Sequence, residues 1–215
     1  MGAASVAEGG HTALLFSTLH EERRAVLLAL DDNSQRTLVF EKGVRGALSD
    51  VGGHTFLVFH TKVDGPVPVG ATPADPEYIA RSWGVSVVDV ASAATRLVLT
   101  EHGPGQATLW SPQEPSAQDQ SDAKVYLIFK APLVTNDQRA ANIEASYRDV
   151  LTINLRSFRS DSFRVPSVPE GLGSIPSAGR IYISQRHPQG RMTFVDVASG
   201  ARQTITGYQL NAGIK

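Results

Sequence analysis

An all-β chain of four repeated four-stranded units is predicted by three observations on the 215-residue sequence. Residues 4–18, ASVAEGGHTALLFST, lie over residues 47–61, ALSDVGGHTFLVFHT, at an offset of 43, with eight of fifteen positions identical. The phrase VDVAS recurs in VSVVDVAS at 85–92 and MTFVDVAS at 192–199, with a looser copy in VLTINLRS at 150–157. Most of the remaining chain is short runs of β-branched, aromatic and aliphatic residues bounded by Gly, Pro, Asn, Asp or Ser, which is the signature of strands.

Assembled in order, the runs give strands A to D in each unit. The first unit, about residues 3–45, reads AASVAEGG, HTALLFST, RAVLLALDD and QRTLVFEKG. The second, about 46–105, reads GALSDVGG, HTFLVFHT, WGVSVVDVAS and ATRLVLTEHG. In the third, about 106–170, the strands are ATLWSP, KVYLIFKA, RDVLTINLRS and SFRVPSV. The fourth, about 171–207, has GLGSIPSAG, RIYISQR, GRMTFVDVAS and ARQTITG, followed by a tail at 208–215. Gly103-Pro104-Gly105-Gln106 reads as the corner between the second and third units. A helix is expected in one place, Asn136 to Tyr147, between strands B and C of the third unit.

Units of this length with a turn after every strand match the blade of a β-propeller. A lone sheet with apolar residues on both faces, as in Ala25-Val26-Leu27-Leu28-Ala29-Leu30, cannot bury itself and must lie between neighbours. An immunoglobulin-type sandwich also uses many short strands. The repeat decides for the propeller.

The phrases GVSVVDVASAATRLVL and GRMTFVDVASGARQTI resemble one half of the bacterial YVTN-type, lactonase-like propeller repeat, and SDVGGHTFLVFHT resembles the other half. The third unit departs from it, with Asn154 where the others carry Asp89 and Asp196. The resemblance implies a propeller and an exported bacterial protein, periplasmic or at the cell surface, and leaves the activity open. The Met1–Val6 segment itself lacks the basic and apolar regions of a signal peptide.

Rings of this repeat type commonly have more blades than four. The sequence thus leaves three arrangements open: a small closed ring, two copies completing one eight-bladed ring, or part of a larger propeller. Completion by a second copy or by further blades is the expectation, since an uncovered terminal blade would expose an apolar face. Residues 208–215 continue where a next strand A would begin, as a closing strand or a frayed end.

Composition narrows the partners. Lys and Arg total 20 against 21 Asp and Glu, with no basic run, so there is no electrostatic footprint for nucleic acid. The longest uninterrupted apolar run, Ala25 to Leu30, is far shorter than a transmembrane span. Cysteine is absent, which removes thiol chemistry and disulfides together. No P-loop, nucleophile elbow or zinc-protease motif occurs, so no catalytic residue, metal ligand or cofactor is assigned.

Asp89, Asn154 and Asp196 end their C strands at a turn and read as turn-capping side chains. His11 and His54 recur at the same A–B corner and read as structural hydrogen bonders. The B–C connections are enlarged at Lys62–Ser82 and Pro132–Tyr147, and loops longer than blade closure requires are where propellers bind. Around that face lie the candidate binding residues His20, Arg23, His60, Lys62, Lys130, Arg186, His187 and Arg191. Guanidinium, ammonium and imidazolium groups favour anions, although a solvated rim is charged in any case. The reading is a non-catalytic binding or assembly module that recognises a protein or surface partner through the B–C loops. Its rival is a propeller enzyme or small-ligand sensor, lactonase-like or redox-linked, with a site at the axis near His20, His60, Arg186 and His187.

Overall fold

Strands form wherever apolar side chains can be covered, and burial grades across each sheet accordingly. The computed structural model describes residues 2–7, 9–19, 21–50, 53–110, 123–132 and 144–208. The chain divides into two compact units, Met1–Pro104 and Gly105–Lys215.

In the first unit, β1 (Gly2–Val6), β2 (Thr12–Ser17), β3 (Arg24–Ala29) and β4 (Gln35–Val39) form one antiparallel sheet in sequence order. A second sheet has β5 (Val44–Ser49), β6 (Thr55–His60), β7 (Trp83–Asp89) and β8 (Thr95–Thr100). Leu14, Leu27, Phe56, Val58 and Val88 pack in the core of this unit. Fully burying an aliphatic or aromatic side chain contributes about 1.5–3 kcal/mol.

The second unit repeats the plan. Its first sheet is β9 (Pro104–Trp110), β10 (Lys124–Phe129), β11 (Asp149–Asn154) and β12 (Ser160–Arg164); its second is β13 (Pro169–Ile175), β14 (Arg180–Gln185), β15 (Arg191–Asp196) and β16 (Arg202–Thr206). Tyr126, Ile128, Val150, Ile181, Ile183 and Val195 form its core. Inner strands such as β10 are buried along nearly their whole length, whereas β16 is exposed throughout. Apart from Ile205 its side chains are Arg, Gln and Thr, and a largely polar edge strand discourages pairing with other molecules.

Register repeats from sheet to sheet. Thr12 pairs Ala29, Thr55 pairs Asp89, Lys124 pairs Asn154, and Arg180 pairs Asp196. Just beyond each pair, the carbonyls of His11, His54, Ala123 and Gly179 accept the amides of Leu30, Val90, Leu155 and Val197. What recurs at the Gly-Gly-His corner is therefore the histidine's backbone carbonyl. The His11 ring instead meets Asp31 at 3.0 Å in an exposed pair.

The VDVAS phrase has a chemical explanation in the C–D hairpins. Asp89 Oδ1 accepts from the amide and hydroxyl of Ser92 at 2.7 and 2.5 Å, and Asp196 does the same for Ser199 at 2.8 and 2.7 Å. Asn154 Oδ1 serves Ser157 likewise at 2.7 and 3.0 Å, so Asn replaces Asp without loss of the turn. Four residues after the start of each hairpin, Asn33, Ala93, Phe158 and Gly200 all take a left-handed backbone with φ between 55° and 71°.

Strand starts differ from the sequence reading, as where β5 begins at Val44 rather than 46, and one helix is added. Strand β9 begins at Pro104, so residues 104–106 of the expected corner are already sheet. Gly105 is there for close approach: a Cβ would sit 3.0 Å from the Lys130 amide nitrogen. Strand β13 begins at Pro169, ahead of the expected 171. A helix that the sequence reading left out, α1 (Pro76–Arg81), lies within the 62–82 insertion. Of the expected Asn136–Tyr147 helix, Glu144–Ser146 are helical, and 136–143 lie outside the described residues.

Candidate binding site on the second blade

The long B–C connection of the second blade is a built structure. Asp75 followed by Pro76 starts α1, because Pro fits the first helical turn where its missing amide has no partner to lose. The Asp75 carboxylate turns back to accept from the Thr72 amide and hydroxyl at 2.6 and 2.9 Å, which holds it below the ordinary carboxylate range. Glu77 near the start of α1 and Arg81 near its end suit the helix dipole, and they pair at 2.9 Å.

Six further hydrogen bonds fasten the insertion. Buried Lys42, from the corner between β4 and β5, donates from Nζ to the carbonyls of Ile79 and Ala80 at 2.5 and 3.1 Å. These carbonyls lie at the C-terminal end of α1, where a cation is favoured. The Val63 amide also reaches the Ala80 carbonyl, at 2.9 Å. Arg81 Nη1 donates to the Asp64 carbonyl at 2.7 Å, and Lys62 Nζ to those of Gly65 and Val63 at 3.1 and 3.4 Å. Burial, with the nearby charges of Arg23 and Lys62, brings the Lys42 ammonium down to about 8.

Between this insertion and the β7–β8 hairpin lies a cavity of about 570 Å³. Tyr78, Trp83, Leu99 and Val67 supply its aromatic and apolar lining. Lys62 and Arg81 stand over the Val63–Gly65 turn at one side, and Glu101 brings a carboxylate. Strand register places Trp83 opposite Thr100, beside Leu99 and Glu101. Such a cavity can take an apolar or planar group while offering charge to its polar end.

Of the residues expected from sequence, Lys62 lines this cavity. Arg23 is exposed in the same unit, and His20 lies outside the described residues. His60 is 1% exposed, with Nδ1 donating to the Gly43 carbonyl at 3.2 Å and Nε2 accepting from the Ser86 hydroxyl at 2.7 Å. Its ring also lies 5.5 Å from that of Phe40. Burial, with a smaller contribution from Lys42, pulls its pKa down to about 4, although the Gly43 hydrogen bond pushes the other way.

In the second unit, Lys130 is exposed. Arg186 pairs with Glu170 at 2.7 Å and Glu144 at 2.8 Å. His187 Nδ1 accepts the Gln189 amide at 3.2 Å in a turn closed by Gly190. Arg191 reaches the hydroxyls of Thr206 and Ser167, each at 3.2 Å. Arg186 thus ties the tight B–C turn of the fourth blade to Glu144 in the third blade's connection, while His187 serves the turn itself.

Sequence reasoning missed Tyr78, Arg81, Trp83 and Glu101. The first two stood inside the insertion already singled out, and Asp75-Pro76-Glu77 is a legible helix start. Trp83 and Glu101 carry no local signal, because sheet pairing alone brings them to the cavity.

No protein-family model matches the chain, and no curated protein matches it. Among solved structures, apo AztD from Citrobacter koseri, a β-propeller protein, is similar with a TM-score of 0.56 at 12% identity, over 95% of this chain and 46% of its own. Kuenenia stuttgartiensis hydrazine synthase gives a TM-score of 0.53 at 11% identity, over 94% of this chain and 48% of the other. U3-55K gives 0.50 at 6% identity, over 95% and 51%. The chain spans about half the length of these structures. Identities this low speak to fold alone, and the fold is a β-propeller with four four-stranded antiparallel blades in this chain.

Proposed function

We propose that the chain is a non-catalytic β-propeller binding module that holds a peptide segment of a protein partner in the cavity on its second blade. One observation carries this reading: the 62–82 insertion is held in place by a buried lysine and two further cations, and with the β7–β8 pair it borders an open cavity of about 570 Å³ lined by aromatic and charged side chains. Blade closure needs none of this, since the first blade passes from Ser17 to Arg24 with only a short connection. An ordered insertion loses little conformational entropy when a ligand docks, which favours affinity.

The test is selection of a displayed random peptide library on the folded chain. The expected result is a related set of peptides whose binding falls about tenfold or more on Tyr78→Ala, the loss typical of an interface aromatic. Failure to enrich any peptide, or equal binding by Tyr78→Ala, overturns the reading.

A further inference from the structure

Resting on that reading, we infer that the cavity selects an acidic peptide segment, its carboxylate set between Lys62 and Arg81 and a neighbouring apolar or aromatic side chain laid against Tyr78 and Trp83. Both cations stand over one turn, because Lys62 Nζ binds the Gly65 carbonyl and Arg81 Nη1 binds that of Asp64. Backbone carbonyls orient Lys62 without neutralising it, whereas Arg81 is also paired through Nε with Glu77 at 2.9 Å and turns Nη2 to no partner among the described residues. Of the three Lys62 ammonium protons, two are engaged. Donor capacity therefore remains, on preoriented cations, beside an aromatic surface. A guanidinium and an ammonium with spare donors suit a carboxylate through charge-assisted hydrogen bonds.

Glu101 refines the choice. It lines the same cavity and is exposed, so a ligand carrying more than one negative charge meets repulsion that a single carboxylate meets less. That residue also supplies the sharpest test, since removing its charge should improve the site.

Peptides selected on the full chain are sequenced, and the tightest is measured against the wild type, Glu101→Gln and Lys62→Met, at two salt concentrations. A single acidic residue beside an aromatic or aliphatic one should be enriched. Affinity should rise about threefold or more on Glu101→Gln, fall about tenfold on Lys62→Met, and weaken with salt. Changing the peptide's Glu to Gln should cost about tenfold on the unaltered protein, a readout independent of how any variant folds. Selected peptides without a carboxylate, or no gain on Glu101→Gln, would overturn this inference and leave the binding reading standing. No enriched peptide at all would remove both.

Discussion

At the last position of β6, His60 links the corner carbonyl of Gly43 to the hydroxyl of Ser86 on the next strand. The second blade's solution reappears in the fourth. Gln185, last in β14, accepts the Ser167 amide at 3.0 Å and donates to Thr193 on the next strand at 2.6 Å. A buried polar bridge between a blade corner and its third strand is thus made by imidazole in one blade and amide in the other. Only the imidazole titrates. Its pKa is about 4 folded against 6.5 ordinarily, so as pH falls through that interval the unfolded chain takes the proton first and stability is lost. The loss is on the order of 3 kcal/mol. His60→Gln should keep the bridge and flatten stability between pH 6.5 and 4 in urea titrations. An unchanged slope in the variant would show that another group carries the acid sensitivity.

At the scale of elements, the insertion's order depends on a residue outside it. Lys42 sits in the corner before β5, yet its ammonium holds the end of α1. Removing it by Lys42→Ala should loosen the 62–82 segment while the strands stay paired. Hydrogen exchange at the Val63 and Ser82 amides, which close on Ala80 and Tyr78, should quicken about tenfold or more. Exchange in β6 should change little. Equal protection in the variant would mean that Arg81 and Lys62 suffice to hold the loop.

For the whole molecule, each sheet has two faces to cover, and a blade at the end of a series has one neighbour. Val6, Val39 and Ile205, on strands β1, β4 and β16 of the first and fourth blades, are between 44% and 68% exposed. If a second copy covers the terminal blades, as one of the arrangements left open by the sequence requires, the purified chain self-associates. Light scattering at micromolar concentration should give a mass of at least twice 23.0 kDa. A stable monomer would count for a ring that closes without a partner.

Much of this architecture was legible because its causes are local. Strands follow from short apolar runs, and the hairpins follow from Asp or Asn with Ser three positions on, all within a few residues. The helix at Pro76–Arg81 is too short to display a period, so its start signal went unread. Lys62 and the insertion were recognisable as candidates, since length beyond the need of closure is itself visible in a chain. Tertiary structure alone decided which side chains form the site. His60 was taken into the interior by packing against Phe40 and Ser86, and Lys42 was drawn under α1. Trp83 and Glu101 were brought across the β7–β8 pairing to face Tyr78 and Arg81. The repeat and its turns belong to the sequence because their hydrogen bonds close over a few residues, whereas the cavity belongs to the fold because its walls meet only after distant strands have paired.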